Sequence, residues 1–282
     1  MSTPQTLVLQ APTLDQARIT ELAALSGASD SRSVAANVVR LDGVDPARRE
    51  LVLARAERLS VDANYVDSAR RFADFGLLVS DMDSTLITIE CIDEIADMQG
   101  LKPQVAAITE RSMRGELDFS ESLKARVALL AGLPEAALAS VYEQRLQLMA
   151  GARELLAACR EHGVKFMLVS GGFTYFTERL KAELNLDYCH ANQLEIVDGK
   201  LTGRVVGDIV DGAAKRQLLI AQREALGLRA EQVIAMGDGA NDLLMLAEAG
   251  VGVATHAKPV VRAQARFSLN HVGLDGIRHL FL

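Results

Sequence analysis

Cysteine is scarce in this chain. Its 282 residues include only Cys91, Cys159 and Cys189. An odd number at wide spacing forms neither a disulfide framework nor a zinc motif, so the three read as reduced thiols. Positive charge is short as well: 30 Lys and Arg stand against 37 Asp and Glu, a formal net charge of −7. No basic block occurs, which argues against nucleic acid as a partner. The same balance repels anions at long range, so any phosphate site must be positive locally. No apolar run approaches the ~20 residues of a membrane span. Residues Met1 to Thr6 lack a charged segment followed by an apolar core, so no signal peptide is expected. Internal repeats and low-complexity tracts are missing too. What remains, 49% hydrophobic and 24% charged, fits a soluble cytoplasmic enzyme with a substantial core and about two domains.

The most informative stretch is Asp81-Met82-Asp83-Ser84-Thr85. The apolar run Gly76-Leu77-Leu78-Val79 feeds into it, so a buried strand delivers two carboxylates to a sheet edge. Positions i and i+2 of an extended chain point the same way, so Asp81 and Asp83 can face one pocket. One carboxylate there could attack while the other carries protons. Alone, the segment reads equally well as an Asp/Ser/Thr turn and helix cap.

A second apolar run, Val233-Ile234-Ala235-Met236, ends in Gly237-Asp238-Gly239-Ala240-Asn241-Asp242. Ligands of open α/β sheets sit at such strand ends. Carboxylates gathered there need a cation, and a hard oxygen set suits magnesium. Val164 to Val169 is a third apolar strand, ending in Ser170-Gly171-Gly172, where a hydroxyl and backbone N–H groups can hold phosphate oxygens. Lys215 opens a helical run and offers a positive charge. Taken singly, Ser170 is a common helix cap and Lys215 a common surface lysine.

In this order, the four segments resemble the haloacid dehalogenase superfamily: a strand ending in Asp-x-Asp, one ending in Ser, a Lys, and one ending in Gly-Asp-x-x-x-Asp. The resemblance is closer still to its phosphoserine phosphatase branch, through Glu90 to Ala96, Ser170 to Phe173 and Asp198 to Gly203. It covers residues 76 to 282. It implies a magnesium-dependent phosphatase that hydrolyses O-phosphoserine, the last step of serine biosynthesis, through an aspartyl-phosphate. Asp81 is then the nucleophile and Asp83 the acid and base. The metal is held by Asp81, the Asp83 carbonyl and Asp238, with Asp242 supporting it. Ser170, Gly171, Lys215 and Asn241 hold the phosphoryl group. Glu90 takes the substrate ammonium and Arg126 its carboxylate, with Met113 and Phe119 as an apolar wall. By spacing alone, Glu90 and Arg126 read first as exposed helix charges, and Met113 and Phe119 equally well as core residues.

The expected architecture is an α/β parallel sheet with a helical cap insertion, preceded by a small ferredoxin-like domain. Residues 1–74 form that first domain. Thr6 to Gln10 reads as a strand, Leu14 to Leu25 as a helix, Ser33 to Leu41 as a strand, Asp45 to Leu59 as a helix, and Val61 to Val66 as a weak strand. The domain resembles regulatory, ACT-like amino-acid-binding modules, and equally an accessory unit that only packs or dimerises. Residues 75–282 form the core. Within it, about 87–150 is mostly helical: Ile92 to Gln99, Pro103 to Arg114, Phe119 to Leu130 and Pro134 to Met149. Asp198-Gly199 between two alternating runs marks a hairpin. Strands alternating with helices imply a parallel sheet.

Other readings are weaker. A phosphotransferase moving the phosphoryl group to another amino-acid hydroxyl shares every motif. A phosphorylated receiver module has no use for Asp83 and lacks a cap insertion. A dehalogenase has no use for the metal cluster, and an ion pump needs membrane spans. A homodimer is left open.

Overall fold

The computed structural model describes residues 5–282 and contains two sheets. The first module runs β1 (Gln5–Gln10), α1 (Gln16–Ser26), β2 (Asp30–Ala35), β3 (Val38–Asp42), α2 (Arg49–Arg58) and β4 (Asp62–Asp67). Its strands pair antiparallel in the order β2-β3-β1-β4, the ferredoxin-like arrangement. The expected single strand from Ser33 to Leu41 is instead a hairpin, β2 and β3. Asn37 turns the chain with φ of +59°, a conformation Asn tolerates better than most residues. The expected helix from Asp45 to Leu59 begins as a 3₁₀ turn at Pro46–Arg48, capped by the Asp45 carboxylate.

The larger body is built on β5 (Leu77–Ser80), β6 (Lys165–Phe173), β7 (Tyr188–Val197), β8 (Lys200–Val206), β9 (Val233–Gly237), β10 (Val251–Thr255) and β11 (Phe267–Leu269). The order is β11-β10-β9-β5-β6-β7-β8. All neighbours are parallel except β7 and β8, the expected hairpin, whose turn residues Asp198 and Gly199 both have positive φ. Strand β5 is central and fully buried. Leu77 and Val79 pack on one face of the sheet and Leu78 on the other. Each is worth ~1.5–3 kcal/mol relative to exposure, which explains a continuous apolar run rather than an alternating one.

Helices α3 (Cys91–Met98), α4 (Lys102–Met113), α5 (Phe119–Ala128) and α6 (Ala136–Gln144) form the cap. The expected last cap helix, Pro134 to Met149, is shorter because residues 147–149 pair back onto 86–88. Thr88 N–H donates to Gln147, Met149 N–H donates to Leu86, and Ile87 bridges Leu148. The cap thus joins the body through two adjacent extended segments. Helices α7 (Ala152–His162), α8 (Thr174–Leu184), α9 (Gly212–Ala225), α10 (Leu243–Glu248), α11 (Pro259–Arg262) and α12 (Gly276–His279) complete the body.

The first module is stitched to residues 262–282. The Asp62 carboxylate accepts N–H bonds from Asn270, His271 and Val272 at 2.7, 2.9 and 3.1 Å. Asn64 exchanges two hydrogen bonds of 2.9 Å with the Ser268 backbone. No helix among the described residues is long and apolar enough to cross a membrane.

Candidate active site

The carboxyl ends of β5, β6 and β9 meet at one point. Beyond β5, the backbone turns tightly through 82–86, with Ser84 at φ of +55°. That turn aims Asp81 and Asp83 into a cavity of about 270 Å³ beneath the cap. Asp81 is nearly buried, and its Oδ1 accepts from the Lys215 ammonium at 2.6 Å. The same ammonium donates to Asp242 at 2.7 Å. Asp242 also accepts from the Gly239 N–H at 3.0 Å, so both its oxygens are engaged. Gly237 makes this possible, since a Cβ there would meet Asp242 at 2.5 Å.

The remaining carboxylates are held individually. Asp83 accepts from the Cys91 N–H at 3.0 Å, at the first turn of α3. Asp238 accepts from the Thr85 hydroxyl at 3.0 Å, and Glu90 from the Ser84 hydroxyl at 2.8 Å. Ser170 is fully buried and accepts from the Gly172 N–H at 2.8 Å, folding the end of β6 back on itself. Gly171 and Gly172 line the cavity because nothing larger fits. A Cβ on Gly172 would stand 2.6 Å from Oδ2 of Asp83, and one on Gly171 would stand 2.8 Å from the Phe119 ring. Cap and body are therefore in contact at Gly171.

Burial dominates the electrostatics. It pushes Asp81 well above the ordinary carboxylate range, as does the charge of Asp242, while Lys215 pulls the other way. Asp83 is raised to about 7 by burial and then by Glu90. Asp238 is raised to about 6 by burial and then by Asp242. Burial opposes the charge on Lys215, but Asp242 and Asp81 together hold it above the usual lysine range. Glu90 is raised and Arg126 lowered, each chiefly by burial.

One oxygen from each of Asp81, Asp238 and Asp242 lies within 4.8 Å of the others. One lysine cannot neutralise three clustered carboxylates. An all-oxygen set of this kind fits a hard divalent cation, with Asp81 and Asp238 retaining oxygens free to bind it.

Asp81, Asp83, Glu90, Phe119, Arg126, Gly171, Asp238 and Asn241 all line the cavity. Ser170 and Lys215 stand behind it and reach it through Gly172 and Asp81. Met113 is a correction: it is 78% exposed at the end of α4 and does not line the cavity. Ile92, Thr109 and Leu123 supply wall there alongside Phe119. Sequence reasoning also missed Thr85, Cys91, Lys258 and Asn192. Asn192 is buried on β7, donates to the Gly171 carbonyl at 2.8 Å and accepts from Val210 N–H, fixing the glycine turn. A lone Asn in an alternating strand gives no sequence signal for that task.

A parallel sheet whose strand ends gather a carboxylate cluster and a buried lysine under a helical cap defines a class of phosphoryl-handling hydrolase. The chain belongs to the haloacid dehalogenase-like hydrolase family, whose model matches residues 78–247. Within it, the similarity is to phosphoserine phosphatases. One from Polaromonas is 54% identical over 215 residues, covering 74% of this chain and 91% of that protein. The unliganded crystal structure of a probable phosphoserine phosphatase from Vibrio cholerae superposes with a TM-score of 0.84 at 38% identity, covering 98% of this chain and 86% of that one. A substrate-bound phosphoserine phosphatase superposes with a TM-score of 0.68 at 37% identity, covering 72% of this chain and 96% of the other. A model of a domain of unknown function matches residues 7–52.

Proposed function

We propose that this chain hydrolyses O-phospho-L-serine to L-serine and phosphate, with magnesium as its cation, as the final step of serine biosynthesis. The observation that carries this reading is the convergence of Asp81, Asp83, Glu90 and Arg126 on one small cavity. A phosphate monoester resists attack because its oxygens repel nucleophiles, so positioning and charge neutralisation do the catalysis. Magnesium, held by Asp81, Asp238 and the Asp83 carbonyl, would offset charge between nucleophile and phosphate. Asp81 attacks phosphorus and becomes an aspartyl-phosphate, while the P–O bond to serine breaks. Asp83, raised to about 7, protonates the departing serine oxygen. It then takes a proton from the water that hydrolyses the acyl phosphate. Lys215, Asn241 and the N–H groups around Gly171 hold the transferring oxygens. Glu90 meets the substrate ammonium. Arg126 grips the carboxylate with two parallel hydrogen bonds, a match that a planar guanidinium makes well.

The test is phosphate release from a panel of phosphorylated amino acids and sugars, with magnesium and no added acceptor. Phosphoserine should be the preferred substrate. Consumption of phosphoserine only in the presence of a second hydroxyl compound, with a new phosphate ester formed in place of free phosphate, would make the chain a phosphotransferase.

A further inference from the structure

The first module's sheet has two faces. Val39 and Leu41 of β3 turn into the module's own core, so Val38 and Arg40 turn the other way. Val38 joins the cluster that holds Phe72, Phe75 and Phe281. Arg40 is therefore buried at a junction that is otherwise largely apolar, with 1% of its surface exposed. Its Nη1 donates to the Leu280 carbonyl at 3.3 Å, but Nε and Nη2 have no partner. Asp42, on the same strand, pairs with Arg32 instead. Burial and then the charge of Arg32 lower the proton affinity of Arg40, and the charge of Asp42 offsets this only in part. A buried guanidinium with idle donors and no directly paired carboxylate is costly, and an anion is what would relieve it.

A cavity of about 540 Å³ adjoins it. Arg40, Arg278, His162 and His279 line it together with Phe72, Phe281 and Leu282, and no Asp or Glu side chain does. It shares no lining residue with the cavity at Asp81. We propose that it is a second ligand site, between the module and the body, for a small carboxylate with an apolar body. The carboxylate would pair with Arg40 and Arg278, and the apolar part would lie against Phe72 and Phe281.

The probe is 4-methylpentanoate, with 4-methylpentanamide as its neutral control, followed by thermal unfolding of the full chain at fixed ionic strength. The wild-type Tm should rise saturably with the carboxylate and not with the amide. Arg40→Met should abolish that rise and, without probe, raise Tm by itself, because it replaces an unpaired buried cation with an apolar side chain. Arg278→Gln, at an exposed position, should raise the half-saturating concentration ~10-fold or more through loss of a charged hydrogen bond. Arg126→Ala, in the other cavity, should keep the wild-type response. The site is overturned by an equal rise in Arg40→Met, by no saturable rise in the wild type, or by loss of the rise in Arg126→Ala.

Discussion

Lys215 donates to Asp242 at 2.7 Å, and both side chains are completely excluded from solvent. Because Asp81 lies 2.6 Å from the same nitrogen, one buried cation serves two buried carboxylates. Losing one partner of such a pair typically costs ~3–5 kcal/mol, since the remaining charges lose their compensation. Lys215→Ala should therefore lower the unfolding free energy by about that amount as well as suppress turnover. Urea denaturation measures it, and an unchanged midpoint would mean the pair does not form in solution.

The three carboxylates that meet near Asp81 leave uncompensated negative charge for a divalent cation to bind. Chelator treatment should abolish phosphatase activity, and magnesium should restore it. Magnesium should also raise Tm, by a stabilisation of ~2.7 kcal/mol at a hundredfold excess over Kd. Asp238→Asn should strongly weaken the Tm response. A full response in that variant would place the cation elsewhere.

Asp81 and Asp83 should separate kinetically. Asp81→Asn should lose both turnover and the covalent intermediate. In Asp83→Asn the nucleophile survives, but serine leaves as a poor alkoxide. General-acid help is worth ~10²–10⁴-fold, so phosphoserine turnover should fall by that range. Nitrophenolate needs no proton, so nitrophenyl phosphate should still give a burst followed by slow hydrolysis. Rapid mixing of both variants with both esters decides it. A burst from folded Asp81→Asn would reassign the nucleophile.

Arg126→Ala should discriminate between substrates. Loss of a charged hydrogen-bond donor to the carboxylate should reduce kcat/KM for phosphoserine by ~10–100-fold. Phosphoethanolamine, which keeps the ammonium and lacks the carboxylate, should be used about as well as by the wild type. Parallel losses on both would show that Arg126 does not read the carboxylate.

Much of the candidate site was legible in the sequence because several of its groups sit at the ends of apolar runs. Asp81 follows β5, Ser170 lies near the end of β6 and Asp238 follows β9, and the parallel sheet brings those ends together. The hairpin at Asp198-Gly199 was legible for a similar local reason. The hairpin at Asn37 was not, because no Gly or Pro interrupts Ser33 to Leu41. Residues that act at a distance were also invisible. Asn192 braces a loop 21 positions away, and Asp62 caps backbone 208 positions away. Met113 failed because a family position transfers only when the helix carrying it presents the same face, and here the end of α4 faces water.

The seam between Asp62 and Asn270 has a consequence for biogenesis. Residues joined by that bond are 208 positions apart, and those joined by Asn64 and Ser268 are 204 apart. At ~5–20 residues per second, the ribosome makes β4 roughly 10–40 s before its docking partner exists. For that interval the sheet face carrying Val8, Val38 and Val66 lacks the part of its cover that Phe267, Leu269, Ile277 and Phe281 supply, and the nascent chain must shield it by other means.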